Sequence, residues 1–432
     1  MIRFGTDGIR GTAGQSPCTA ELALNVGRAA VLLAGEGTES RVMVARDTRP
    51  SGPMFEASIV AGVAAAGGQA IVAGVLPTAG LMANIEAGAA DVGVMITASH
   101  NPHSDNGFKI IGKHGKKLSD ADSMQFETWL NNPADSTQIG GVVQEQLAAR
   151  SNYFEALGRV CPDPAALHGA RIAVDFSNGA AVGTGRWLQD RYGGVNWIFT
   201  GQGNGLINHG VGSENPEHLS AIIRENDCDG GFAVDGDADR CVTFDEEGNI
   251  VSGDALAWFL ARQMGIKTLA VTVMSNGALE SSLPGVSVTR TPVGDRNLMK
   301  AMDAQGILLG CEESGHVLFG DGLPGGDGVV TGLRVLGYVM ASTVKFSEQC
   351  AEFSPLHRRK GKVPSHEKRP LSTYPTLHQM IEEAPVRLDG GRVLVRYSGT
   401  EPALRILVEG STLAKVDVIY EDIVRHAQEV VR

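Results

Sequence analysis

The chain has 432 residues, a formal net charge of −12, 43% apolar residues and 20% charged residues. That length exceeds one ordinary core and sets an expectation of about two to four domains. The acidic balance argues against nucleic acid as a partner, and no apolar run reaches the roughly 18 residues that would span a bilayer. Six scattered cysteines with no C-x-x-C pair point to reduced thiols, not a disulfide frame or a zinc site. Met1-Ile2-Arg3-Phe4 lacks the regions of a signal peptide, so the expectation is a cytoplasmic protein.

Strand and helix patterns alternate along most of the chain. Strands are expected over 41–45, 70–73 and 91–96, with helices around 54–66 and 78–88. The polar segment 119–155 reads as a helical connector without a clear strand. The cycle restarts at 171–175, passes 195–199 and reaches the apolar run 231–234, with a further strand at 242–244. It restarts again at 268–273 and ends on 307–310. Such alternation implies βαβ units and largely parallel sheets. A basic, proline-containing stretch near 357–370 reads as a linker. Beyond it, strands at 392–395 and 404–408 and an amphipathic helix near 412–431 make a small α+β unit. The fold class expected is therefore α/β: three similar mixed α/β domains, 1–150, 151–250 and 251–358, plus an α+β domain, 359–432, around a central cleft.

Each pass delivers a polar motif just beyond a strand, where open α/β sheets place ligands. Asp235-Gly236-Asp237-Ala238-Asp239-Arg240 carries three carboxylates at alternate positions. Converging carboxylates repel one another unless a cation neutralises them, and hard oxygens suit Mg²⁺. A solvated acidic turn is the plain alternative. An EF-hand loop is not, because Arg240 stands where the sharp turn requires glycine. Thr97-Ala98-Ser99-His100-Asn101-Pro102 offers a hydroxyl nucleophile without a G-x-S-x-G elbow. Together, Mg²⁺ and a hydroxyl suggest phosphoryl transfer. Arg396-Tyr397-Ser398-Gly399-Thr400-Glu401-Pro402, with Arg405, reads as a phosphate cradle or a simple hairpin turn. In Cys311-Glu312-Glu313-Ser314-Gly315-His316, strand alternation would put Glu312, Ser314 and His316 on one side, a set suited to sugar hydroxyls. Phe4-Gly5-Thr6-Asp7-Gly8-Ile9-Arg10-Gly11 is glycine-rich and weak alone.

Taken in order, these five motifs resemble the α-D-phosphohexomutase family over almost the whole chain. The pieces 4–11, Val293-Gly294-Asp295-Arg296 and Ser398–Pro402 with Arg405 resemble the branch that acts on glucosamine phosphates. The branch acting on mannose and glucose phosphates, and a Mg²⁺-dependent sugar phosphatase, are the alternatives. The chain departs from the family pattern at Pro292 (commonly Lys), Asn297 (commonly Tyr), Glu313 (commonly Gln), and Ala238 and Cys311 (commonly Gly).

The resemblance implies one Mg²⁺ per chain, held by Asp235, Asp237, Asp239 and a phosphate on Ser99. It implies a phosphoserine at Ser99 and activation by glucosamine 1,6-bisphosphate or glucose 1,6-bisphosphate. Glucosamine 6-phosphate would become glucosamine 1-phosphate, on the way to UDP-N-acetylglucosamine and cell wall. Arg10, His100, Lys109, Arg240 and His316 would complete the catalytic shell. Glu312, Ser314 and Arg296 would meet the sugar, while Arg396, Ser398, Gly399, Thr400 and Arg405 would grip its phosphate. The partners implied are a hexose phosphate, with no nucleic acid or membrane, and an assembly compatible with a homodimer.

Overall fold

The computed structural model describes residues 4–5, 8–35, 40–133, 138–398 and 402–431. It packs as two compact units, Met1–Met274 with Ser287–Glu352, and Ser275–Val286 with Phe353–Arg432. Among the described residues the fold is mixed α/β, as expected, with three sheets in the first unit and one in the second. Among the described residues no helix is long and apolar enough to cross a membrane.

The first sheet holds β1 (Ile9–Thr12), β2 (Arg41–Arg46), β3 (Gln69–Val75), β4 (Val92–Ile96), β5 (Asp105–Ile111) and β6 (Val142–Gln144). Their spatial order is β1-β5-β4-β2-β3-β6. The second holds β7 (Arg171–Asp175), β8 (Asn196–Thr200), β9 (Gly230–Val234), β10 (Cys241–Phe244) and β11 (Ile250–Val251), ordered β11-β10-β9-β7-β8. The third holds β12 (Thr268–Thr272), β13 (Ser287–Thr291), β14 (Leu309–Cys311) and β15 (Val317–Phe319), ordered β13-β12-β14-β15. One pattern recurs three times: β3-β2-β4-β5, β8-β7-β9-β10 and β13-β12-β14-β15. In each, three parallel strands are followed by a strand that returns antiparallel beside the third.

The repeat decides where chemistry can occur. The loop from the third strand to the returning fourth leaves the carboxyl end of the parallel set each time. Those loops carry Ser99, Asp235–Arg240 and Glu312–His316 respectively. The strands feeding them are apolar and fully buried, as are Val92–Ile96 and Gly230–Val234. Burial on both faces explains runs of apolar residues rather than alternation.

Two local expectations are corrected. The connector 119–155 contains two helices, Asp120–Asn131 and Gln146–Val160, but also β6, paired parallel to β3. Three residues with an exposed-intermediate-exposed pattern leave too little periodicity to read as a strand. The basic stretch 357–364 is no linker; it is the edge strand β16 (His357–Pro364) of the C-terminal sheet. Lysines and a terminal proline are what an edge strand carries to block further pairing. That sheet runs β16-β18-β17, with β17 (Arg392–Tyr397) and β18 (Ala403–Gly410) antiparallel. A helix, Leu413–Val430, packs its buried Val416, Ile419, Ile423 and Ala427 in this unit's core.

Candidate active site

Val234 ends β9, and the chain turns at once, with Ala238 N–H donating to Asp235 O at 3.0 Å. The turn brings the carboxylates of Asp235, Asp237 and Asp239 within 4.8 Å of one another, all three buried. Its tightness rests on two residues. At Gly236 a Cβ would lie 2.6 Å from Ser99 O, so only glycine lets this loop approach the serine loop. Ala238 adopts φ +61° where the family commonly has glycine, a conformation that costs a non-glycine residue about 1–2 kcal/mol.

Around this cluster the first unit assembles most of the expected shell. Ser99 Oγ donates to Asp235 Oδ2 at 2.6 Å and lies 3.4 Å from His100 Nδ1. Lys109, on β5, places Nζ 2.7 Å from both Asp237 Oδ2 and Asp239 Oδ2. Arg240 N–H donates to Asp235 Oδ1 at 3.2 Å. His316 Nδ1 lies 3.7 Å from Asp239 Oδ1, and its Nε2 lies 3.3 Å from Asp295 Oδ2. Two partners escaped the sequence reading. Thr78 donates its hydroxyl to Asp237 Oδ2 at 2.5 Å, and Asn208 donates to Ser99 O at 2.7 Å and Asn101 O at 3.0 Å. Thr78 opens the helix Thr78–Glu86 and Asn208 sits in a turn; both are small polar residues far from the aspartates or the serine in sequence, with no local signature.

The cluster is electrostatically incomplete. Asp237 Oδ1 and Asp239 Oδ1 are buried without a hydrogen-bond partner, and so is Arg240 Nε. Such orphans are costly unless a ligand completes them. Burial, with Asp239 and Asp237 alongside, pushes Asp235 up to about 8. Burial works in the same sense on Asp239, but Lys109, His316 and Arg240 outweigh it and hold that carboxyl well below the usual range. Two unsatisfied hard oxygens among three buried carboxylates fit a Mg²⁺ ion. On the other side, burial, Arg240 and Arg10 together depress His100 to about 4. The two arginines among those causes place positive charge near Ser99, where a phosphate would sit. For His316 burial opposes the charged form, yet Asp295, Asp239 and Glu312 push it up to about 9.

The third loop differs from its expected form. Glu312, Ser314 and His316 do not alternate along a strand. Glu312 N–H donates to His316 O and Gly315 N–H to Glu312 O, closing a tight hairpin with Gly315 at φ +84°. Gly315 O in turn accepts from Cys241 N at 2.9 Å, tying this hairpin to the loop that bears the carboxylates. Glu312 Oε1 accepts from Gly294 N at 2.9 Å, and Ser314 lies exposed on the turn. Arg296 is engaged by Asp120 and by Ser123 Oγ. It lines a narrow cavity of about 20 Å³ with Gly5, Gly8, Lys109, Lys117 and Ser123. Lys117 pairs with Asp295 at 2.5 Å.

In the second unit, Arg396 stands directly across from Arg405, and Arg405 across from Lys362. Three cations therefore lie abreast on one face of a three-stranded sheet. Arg396 Nε is buried and unpartnered, and burial with Arg405 lowers its pKa. Ser398 is buried, with its N–H donating to Ala403 O at 2.8 Å. Gly399 and Thr400 lie outside the described residues.

The α/β/α domain I model for phosphoglucomutase/phosphomannomutase matches residues 1–135, the domain III model 252–356 and the C-terminal domain model 362–426. The chain belongs to the α-D-phosphohexomutase family. Among this family's members, the Granulibacter bethesdensis protein named phosphoglucosamine mutase is 39% identical over 97% of this chain and 95% of its own. The phosphohexomutase fold recurs in solved structures. A phosphoglucomutase/phosphomannomutase family protein from Burkholderia thailandensis has a TM-score of 0.79 at 22% identity, covering 99% and 98% of the two chains. Aspergillus fumigatus N-acetylphosphoglucosamine mutase, solved with GlcNAc-6P and magnesium, has a TM-score of 0.68 at 17% identity, covering 100% and 96%.

Proposed function

We propose that this phosphohexomutase interconverts glucosamine 6-phosphate and glucosamine 1-phosphate through a phosphate carried on Ser99 and a bound 1,6-bisphosphate. The observation that carries this reading is Ser99 Oγ, 2.6 Å from one carboxylate of a buried three-aspartate cluster. A nucleophile aimed at a cation site suits phosphoryl transfer and has no use in a simple sugar-phosphate receptor. The name of the Granulibacter relative supports glucosamine phosphate as the substrate.

Asp235, Asp237 and Asp239 would hold Mg²⁺, which when bound withdraws charge from a phosphoryl group. The residues then divide the remaining work. In the forward step the P–Oγ bond of phosphorylated Ser99 breaks as a P–O bond to the sugar O1 forms. The O1 proton must leave, and Oγ can regain one. His100, kept neutral beside Oγ, can exchange a proton there. Lys109, ion-paired to two carboxylates, supplies fixed positive charge, with Arg10 and Arg240 around the phosphate. His316 would hand a proton to or from a sugar hydroxyl. Glu312 and Ser314 would hold ring hydroxyls, and Arg296 would complete that side. The bisphosphate then turns and returns its 6-phosphate to Oγ. Arg396, Ser398, Gly399, Thr400 and Arg405, with Lys362 added from the sheet, would bind the phosphate that is not reacting. Glucosamine or glucose 1,6-bisphosphate would restore Ser99 after any loss of its phosphate.

The test is ³¹P NMR of purified protein with glucosamine 6-phosphate, Mg²⁺ and a trace of glucose 1,6-bisphosphate. Glucosamine 1-phosphate should accumulate. Inorganic phosphate in its place would make the chain a phosphatase. A higher kcat/KM on glucose or mannose phosphate would move it to the other branch.

A further inference from the structure

Arg49 is 1% exposed and Asp47 is fully buried, and neither has a role in the chemistry described above. Both lie just past the end of β2, the strand that pairs with β4, so they sit beside the start of the serine loop. Asp47 N–H continues that pairing by donating to Ile96 O at 3.1 Å. A buried charged residue needs every donor matched, and all five guanidinium N–H donors of Arg49 are. Nε donates to Asp47 Oδ2 at 2.9 Å. Nη1 donates to Pro102 O and, at 2.9 Å, to Asp105 O. Nη2 donates to Ser99 O at 2.8 Å and Asn101 O at 2.9 Å. One side chain thus holds three carbonyls of the serine loop and that of Asp105, the first residue of β5.

Asp47 reaches the same loop by a second route. Its Oδ2 accepts from the Thr97 hydroxyl at 2.7 Å, and Thr97 Oγ1 accepts from Ser99 N–H at 2.8 Å. Ser99 is therefore tied at both its N–H and its C=O. It needs to be, because its φ is +52°, a region an L-residue occupies only when its surroundings impose it. Released, the residue would relax and swing Oγ away from Asp235.

We infer that Arg49, with Asp47 and Thr97, is a positioning device that holds Ser99 in its left-handed conformation so that Oγ faces the metal carboxylates. The inference rests on the reading of Ser99 as phosphoryl carrier. It separates from ordinary structural support because every Arg49 guanidinium contact other than that to Asp47 runs to a carbonyl between Ser99 and Asp105. Loosening it should change the rate at Oγ, not the binding of sugar or metal.

The experiment compares wild type with Arg49→Lys, whose compact ammonium has three donors and no planar fork. Uptake of one phosphate from glucose 1,6-bisphosphate is followed by intact mass, alongside kcat, KM, Mg²⁺ affinity and Tm. Wild type that takes no phosphate at Ser99 overturns the carrier reading itself. With wild type phosphorylated, a folded Arg49→Lys should lose about 100-fold in both uptake rate and kcat, the scale of an ångström-level misplacement. Its KM and Mg²⁺ affinity should stay within about threefold. Unchanged kcat well below its Tm, or parallel losses in KM and Mg²⁺ affinity, would overturn the clamp. If Arg49→Lys does not fold, Thr97→Val decides. It cuts only the link from Asp47 to Ser99 N–H and should lower kcat about tenfold at constant KM, and an unchanged kcat would sink the proposal.

Discussion

The serine loop after β4 and the aspartate loop after β9 occupy the same position in two copies of one strand order, yet they are finished in opposite ways. In the first, a buried guanidinium has a partner for each of its five donors, and Ser99 is held at both backbone groups. In the second, two carboxylate oxygens are buried with nothing to accept from. A satisfied buried network rigidifies what it holds, while an unsatisfied one reports a missing ligand. The same topological slot has become a fixed mount in one repeat and a cation receptor in the next. The third repeat fills that slot with a hairpin whose glycine accepts from the aspartate loop through Cys241.

Substitution should expose this contrast, starting with its largest effect. Ser99→Ala removes the nucleophile but none of the carboxylates. Turnover should fall roughly 10⁴-fold or more, the scale of losing a nucleophile, while Mg²⁺ titration by calorimetry stays near wild type. Appreciable turnover with bisphosphate supplied would take the carrier role from Ser99. Asp237→Asn attacks the incomplete loop instead. Mg²⁺ affinity should weaken at least tenfold and kcat should drop about 100-fold or more. The thermal shift that Mg²⁺ confers on wild type, RT ln(1 + [L]/Kd), should shrink with it. Equal metal binding in that variant would place the ion elsewhere.

A change outside both loops sharpens the distinction further. Arg396→Ala should raise KM for glucosamine 6-phosphate by roughly 10- to 150-fold, the worth of a charge-assisted phosphate contact. It should also leak 1,6-bisphosphate, so activity decays with turnover and recovers when bisphosphate is added. An unchanged KM without leakage would remove the cation row from substrate binding. The smallest effect is expected at Ala238→Gly. Relief of the φ +61° conformation, partly offset by glycine's entropy, should stabilise the protein by about 0.5–1 kcal/mol. A melting curve that moved down would show that the alanine methyl group packs more than it strains.

Particular elements show what could be read in advance. The buried strands 92–96 and 230–234 announced themselves as apolar runs, and the polar motifs beyond them marked the ligand-bearing ends. β6 did not, since three half-exposed residues have no period to detect. β16 was hidden by the charges and proline that protect a sheet edge. Among site residues, Asp235, Asp237 and Asp239 were legible because like charges at alternate positions demand a common explanation. Thr78, Asn208 and Arg49 were not, because each acts through partners 50 or more residues away.

Local chemistry, then, is what the chain by itself determined: which strands are buried, which loops carry carboxylate, hydroxyl or guanidinium, and which family it resembles. Tertiary structure decided which of those groups end up satisfied. Desolvation and hydrogen-bond completion depend on every neighbour a fold brings in, and no window of sequence contains them. Asp47 and Asp237 are both fully buried aspartates at strand ends; only the fold gives one a guanidinium and leaves the other's Oδ1 open to a cation.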